Sequence, residues 1–349
     1  MIRALVQTLV LLAVALATLV LLLVATGHAP APALTAMANG AFGSSYALLS
    51  ATPVRAIPLA LAGLAVAIAF RAGILNVGAE GQLLVGATAA ACIAALVSTH
   101  PGVPAVVVIV VMLSAGTLAG GLWAGIAAWL RTRFGVLEVI STIMLNFLAL
   151  YLVGYLVRGP LQEPTRMNPQ SPTLPEALHL PVLVEGSRLH AGLLLAIGLA
   201  VLAWWWLRNT ASGFRLRAVG GNARAAASAG RVNVPRVVAG AFLTSGALAG
   251  VAGAVQYTGV TYAMYENFSP GYGYKAIAVA LLARLNPLGV LVAALLFGAL
   301  EAGANAMERD AGVPNVVVSV VEAALILLVV AADRWQARAG AQATTTVRA

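Results

Sequence analysis

Charge is scarce in this chain. Asp, Glu, Lys and Arg make up 9% of its 349 residues against 61% hydrophobic ones, and the mean hydropathy is +0.95. A soluble domain of this size would have to expose much of that apolar surface to water, so the composition excludes one and points to a chain that crosses a bilayer several times. Cysteine is nearly absent: Cys92, alone in an Ala-rich apolar run, excludes an internal disulfide and reads as a small core residue. Lysine occurs once, at Lys275, outside any Gly-x-x-x-x-Gly-Lys-Ser/Thr context, which excludes a Walker A phosphate loop. Acidic residues are outnumbered, 11 to 20, leaving a net charge of +9. The arginines are spread between apolar runs rather than gathered on one aromatic-laced face, so the positive balance reflects membrane topology and not nucleic-acid binding.

What is abundant is apolar runs long enough to cross about 30 Å of hydrocarbon. They fall at 4–26, 54–70, 79–98, 104–129, 137–157, 191–207, 237–257 and 314–332, with a longer stretch, 272–307, broken by Arg284, Asn286, Pro287 and Gly289 and read as two spans, the first short. The first run is longer than the apolar core of a signal peptide and is expected to stay as a helix. The expectation is an all-α membrane protein, a single polytopic domain over 1–349 with about ten crossings and both termini cytoplasmic. Most basic residues then lie on the inner side. The accessory segments would be an outer Pro-rich loop at 158–190, a cytoplasmic loop at 208–236 and a cytoplasmic tail at 334–349. Ten helices divide into five and five, and an odd number per half inverts the second half. A weak internal echo, Leu-Asn-Val-Gly from Leu75 and Leu-Asn-Pro-Leu-Gly from Leu285, each shortly after an arginine, agrees with a repeat.

Four segments stand out chemically. The string GILNVGAEGQLLVGA, Gly73 to Ala87, sets Asn76, Glu80 and Gln82 among glycines at a helix junction. Backbone without helical bonds is tolerated at membrane depth only where protein or a watery cavity surrounds it, so the segment reads either as a broken helix beside a transport path or as a tight turn with packing glycines. Glu301 and Glu322 fall inside the last two apolar runs, with Asn305 one turn after Glu301 on the same face. Such acids suit a proton relay, or interhelical hydrogen bonding by a neutral carboxyl. Six aromatics between Tyr257 and Tyr274 suit stacking on a planar ligand or, more plainly, an interfacial belt on the outer side. The last segment, Arg208 to Arg236, carries six arginines and no acid. Within it Asn222 is placed to cap a short helix, Ala223 to Ala229 to propagate it and Gly230 to end it, with Pro235 starting the next span. A capped Ala-rich helix on the cytoplasmic face suits gripping by a partner.

These strings, with EVISTIMLNFLA at Glu138 to Ala149, GFRLRAVGGNARAAASAG at Gly213 to Gly230 and GYGYKAIAVALLARLNPLGVLVAALLFGAL at Gly271 to Leu300, resemble the permease subunits of bacterial ABC importers for nucleosides and simple sugars. That family is related to the branched-chain amino-acid permeases, and the likeness covers about residues 55 to 332. The Pro-rich outer loop and Leu180 to Gly192 are most similar to the longer permease of nucleoside importers. The resemblance implies a transport subunit of the bacterial cytoplasmic membrane, with no catalytic residue, metal or cofactor of its own. It also implies three partners: an ABC ATPase that binds the ATP, a second, shorter permease, and a surface lipoprotein that captures cargo. ATPase contact is expected at Gly220, Asn222, Ala223, Arg224, Ala226, Ala227 and Gly230, and the cargo path beside Asn76, Glu80, Gln82, Asn146, Glu301 and Asn305. Two departures from the usual pattern are Ala79, where a bulkier residue is common, and Arg231, where an Ile is usual. A sugar permease, a proton-coupled carrier using Glu301 and Glu322, and a membrane-embedded assembly subunit without cargo are the rival readings.

Overall fold

The computed structural model describes residues 2–97, 102–230, 232–314, 316–317, 319–320 and 323–324. Among them the protein is helical, and β structure is limited to two isolated bridges, Gln170 with Tyr265 and Val182 with His190. The helices are α1 (Ile2–Ala25), α2 (Pro30–Phe42), α3 (Thr52–Arg71), α4 (Ala79–Val97), α5 (Ala105–Phe134), α6 (Glu138–Arg158), α7 (Gly192–Asn209), α8 (Ala211–Gly221), α9 (Ala223–Gly230), α10 (Val234–Gln256), α11 (Tyr272–Leu282) and α12 (Pro287–Ala311). Two π-helical turns, Ala47–Ala51 and Tyr257–Thr261, lead into α3 and extend α10. Among the described residues, seven helical stretches are long and apolar enough to span a membrane, and α11 is a shorter apolar helix, as expected of the broken run. The run at 314–332 lies largely outside the described residues, as do Arg231, Glu322 and the tail from 334. Helix α2 and the separate α8 have no counterpart in the sequence reading.

The chain forms two compact units, residues 1–52 with 299–349, and residues 53–298. In the first, α2 meets the second half of α12 through small residues: a Cβ on Gly303 would come 2.6 Å from Met37 Cγ, and one on Gly40 would overlap Ala306 Cβ. The second unit is centred on α4, α5 and α10. Gly116 and Gly120 of α5 face Gly250 of α10, and a Cβ on Gly120 would sit 2.6 Å from the Gly250 Cα. Without a hydrophobic force between helices in lipid, association rests on such close backbone approach, which side chains would prevent.

The Pro-rich segment 158–190 is held along the chain that follows α10. Ser171 N donates to Met264 O at 2.7 Å, Leu174 N to Tyr262 O at 2.7 Å and Leu180 N to Thr258 O at 2.9 Å. His179 stacks on Tyr262 with centroids 3.7 Å apart, and Arg158 pairs with Glu266 at 2.6 Å. This changes the aromatic belt expected at Tyr257 to Tyr274. Tyr257, Phe268 and Tyr272 are buried in protein and Tyr262 is sandwiched against the loop, so only Tyr265 and Tyr274 remain exposed.

The echo between Leu75 and Leu285 also takes on another meaning. After α3 and after α11 the chain enters a left-handed conformation, at Gly73 and at Arg284 and Leu285. Each turn closes with the same long hydrogen bond, Ile74 N to Ala69 O and Leu285 N to Ala280 O. Arg71 Nε donates to Leu285 O at 2.8 Å, so the two turns are neighbours. Matching turns of an inverted repeat fall at opposite ends, so the echo reports shared helix-end chemistry and carries no evidence for the five-plus-five division.

Candidate functional site

Between α3 and α4 the backbone leaves the helix for residues 72–78, and the polar side chains of the Gly-rich string close the gap. Asn76 is fully buried and makes four hydrogen bonds. Its Nδ2 donates to Gln82 Oε1 at 3.1 Å and to Ser245 Oγ of α10 at 2.9 Å. Its Oδ1 accepts from Gly78 N at 3.0 Å and from Gln82 Nε2 at 3.0 Å. Two donor hydrogens and two acceptor lone pairs are all a carboxamide has. Ser245 in turn donates to Ala65 O at 2.7 Å, tying α10 to α3.

Asn146 of α6 completes the junction from the other side. Its Oδ1 accepts from Gly81 N at 2.8 Å, and its Nδ2 donates to Val77 O at 2.9 Å and to Tyr274 Oη at 3.2 Å. Glu80, in the first turn of α4, reaches the first turn of α11, where its Oε2 accepts from Gly273 N at 2.7 Å and Ser269 also bonds the carboxyl. An acidic group suits the first turn of both helices, where unpaired N–H groups concentrate positive charge. The approach depends on glycine, since a Cβ on Gly273 would overlap the Glu80 backbone. Gly81 is equally confined, its Cβ position lying 2.9 Å from Asn146 Oδ1. Asn76, Glu80, Gln82 and Asn146 therefore form one buried junction joining α3, α4, α6, α10 and α11. Their hydrogen bonds go to the protein itself, which makes them a brace.

Glu301 and Asn305 are separate from that list in sequence and in unit. They lie one turn apart on α12, in the unit built with α2, and both are half-buried.

The basic segment folds as the capping reading expected, with an extra helix before it. Thr210 Oγ1 accepts from Gly213 N and starts α8; Asn222 Oδ1 accepts from Ala225 N at 3.0 Å and starts α9; Asn233 Oδ1 accepts from Arg236 N at 3.1 Å and starts α10. In the eight-residue α9, Ala223, Arg224, Ala227 and Gly230 are exposed and Ala226 is half-buried. Gly220 is different. It lies against the end of α3, and a Cβ there would overlap Arg71 O. Gly73 faces it from the turn, its Cβ position 3.3 Å from the Gly220 Cα. A contact of backbone on backbone thus links α8 and α9 to the turn that leads into Asn76.

A further face was not anticipated from the sequence. On α6, Ile140, Met144, Phe147, Leu148, Tyr151 and Tyr155 recur at helical spacing and are all exposed, the two tyrosines at 72% and 68%. The signal was present in the spacing of Met, Phe and Tyr, but an apolar stripe on a membrane helix looks the same in sequence whether it meets lipid, a partner or cargo.

Comparison with known proteins places this architecture. The family model described as branched-chain amino acid transport system, permease component, matches residues 48–330. A guanosine ABC transporter permease of Bacillus subtilis is 40% identical over 313 residues, 88% of each chain. A glucose ABC transporter permease of Haloferax volcanii is 40% identical over 290 residues, 80% of this chain and 75% of its own. A nucleoside ABC transporter permease of Lactococcus lactis subsp. cremoris is 32% identical over 281 residues, 78% of this chain and 76% of its own. No solved structure matches. The chain belongs to the family of branched-chain amino acid transport system permease components, and is a multi-pass integral membrane permease subunit of an ABC transporter, not an enzyme.

Proposed function

We propose that this chain is one of two permeases in an ATP-driven importer whose cargo is nucleosides. The observation that carries the cargo is the likeness to the guanosine permease over 88% of both chains, with a nucleoside permease among the further relatives. A sugar cargo is the second reading, favoured by the equal identity to the glucose permease over a shorter stretch. In this proposal ATP is bound and hydrolysed by a separate ABC ATPase. A surface lipoprotein delivers the cargo and a shorter paralogous permease completes the path. The membrane topology is ten crossings in two sets of five with both termini cytoplasmic, the 158–190 loop outside, and 208–236 and 334–349 inside. The basic bias of the inner segments supports that orientation.

The mechanism is alternating access driven from α9. The exposed Asn222 to Gly230 helix takes the movement of the ATPase, and Gly220 passes it to Arg71 and Gly73 because no side chain cushions that contact. The turn then moves the braced junction of Asn76, Gln82, Asn146 and Glu80 as one piece, carrying the N-terminal ends of α4 and α11 with it. Cargo meets the Met144, Phe147, Tyr151 and Tyr155 face of α6, whose rings suit stacking on a base. Reconstituted vesicles containing both permeases and the ATPase test this directly. Labelled guanosine should accumulate only with internal ATP and the lipoprotein, and excess glucose should not compete. Accumulation driven by a proton gradient without ATP would overturn the reading, and competition by glucose alone would transfer it to sugars.

A further inference from the structure

Three arginines converge where α3, α7, α8 and the turn before α12 meet. A cavity of about 380 Å³ is lined there by Arg71, Trp204, Leu207, Arg208, Arg217, Asn286 and Pro287, with no carboxylate in its wall among the described residues. None of the three arginines is ion-paired among the described residues. Two of them are nevertheless held in place. Arg71 Nε is fixed by Leu285 O at 2.8 Å, and its terminal nitrogens have no acceptor among the described residues. The Arg208 guanidinium lies over the Trp204 ring, 5.5 Å from its centroid. Arg217 projects from α8 close enough for its charge to act on Arg71. Arg71 and Arg208 stand in the last turns of α3 and α7, where the carbonyl ends offset part of their charge. Arg217 lies well inside α8 and has no such help. Arg71 is half-buried and Arg208 and Arg217 are exposed at the mouth of the hollow, and like charges gathered in such a concave place repel one another unless an anion joins them.

We propose that this cavity binds the phosphate of an anionic phospholipid and that the bound lipid clamps the coupling helices to the α3 turn. Arginine forks match phosphate oxygens, and basic hollows between membrane helices at the bilayer edge suit lipid headgroups. The surroundings favour a lipid over a free ion. Leading away from the cavity along α7, Val201, Ile197 and Leu194 form an exposed apolar stripe on the same side as Trp204, a surface for an acyl chain. Trp204 at the junction suits the boundary between headgroup and hydrocarbon. A phosphate held by Arg71 and Arg217 together would also reinforce the bare contact of Gly220 with the Arg71 carbonyl, because both lie on the same pair of elements. The inner-leaflet position rests on the topology proposed above, but lipid binding itself does not need the transport reading to hold.

The test is lipid retention by the purified full chain, read by native mass spectrometry as detergent replaces phosphatidylglycerol or phosphatidylcholine. Phosphatidylglycerol should outlast phosphatidylcholine on the parent chain and fall about tenfold or more on Arg208→Gln/Arg217→Gln, given the contribution expected of each basic residue near anionic lipid. The matched control, Arg133→Gln/Arg215→Gln, removes the same charge outside the cavity and should retain the lipid. Arg217→Gln alone, an exposed change on α8, gives the same direction if the double variant folds poorly. Equal retention by parent and cavity variants, or equal loss in the control, would overturn the proposal. Displacement of the lipid by millimolar inorganic phosphate would show a free-anion site and refute the lipid as occupant.

Discussion

Replacing Asn76 with Ala separates a brace from a cargo site. The change removes four hydrogen bonds in a fully buried place. Gly78 N loses its acceptor, and the Gln82 carboxamide loses its partner at both ends. Ser245 keeps its bond to Ala65 O and loses only the proton it accepted. A buried polar group left without a partner costs about 1–3 kcal/mol, so Gly78 and Gln82 together put the loss near 3–5 kcal/mol. A melt of the detergent-purified permease should shift down by about 5–10 °C, the scale on which such a loss moves a chain of a few hundred residues. Uptake per folded molecule should fall as the junction loosens. The KM for cargo should stay within about twofold, because a carboxamide with every donor and acceptor spent inside the protein has none left for a ligand. A variant that melts like the parent but binds cargo several-fold more weakly would refute the brace and return Asn76 to the path.

Gly220→Val should reduce ATP-dependent uptake while leaving the ATPase attached, since the added atoms meet Arg71 O and overpacking of that kind costs about 1–3 kcal/mol. A co-purification assay with normal uptake would count against Gly220 as the point of transmission. Ala226→Arg, on the half-buried side of α9, should weaken ATPase co-purification without changing membrane insertion; an intact complex would remove α9 from the interface. Glu301→Gln/Glu322→Gln should retain ATP-driven uptake if these acids act as neutral hydrogen-bonding groups, and a proton-coupled carrier would lose its activity. His190, at the end of the Pro-rich segment 158–190, has its pKa pushed down to about 4 from 6.5 by burial and by the charge of Arg188. A histidine held neutral in the fold loses stability as pH falls from its unfolded value toward the folded one, so acidification from pH 7 to pH 5 should cost about 2 kcal/mol. His190→Gln should flatten the decline in melting temperature over that range, and an unchanged slope would show that another group controls it.

Much of this protein was legible in the sequence because lipid imposes simple rules. Length and polarity decide which runs cross a bilayer, so most spans, the short α11 after Gly271 and the capped helix at Asn222 could be read without coordinates. The single lysine, Lys275, lies outside any Gly-x-x-x-x-Gly-Lys-Ser/Thr context, so the sequence alone shows no Walker A phosphate loop. Pairing was different, because hydrogen bonds across the fold leave no periodic trace. That Asn76 meets Gln82 and Ser245, that Asn146 spans Val77 and Gly81, and that Glu80 reaches across 193 positions to Gly273 depend on five helices arriving at one place. The polar residues stand out in the sequence, but which groups they bond depends on tertiary structure alone. The same holds for Gly220 and for the three arginines around Trp204. Sequence records a small residue or a charge, while tertiary structure supplies the backbone that a side chain would strike and the like charges brought into one hollow, because sterics and Coulomb forces act through space and not along the chain.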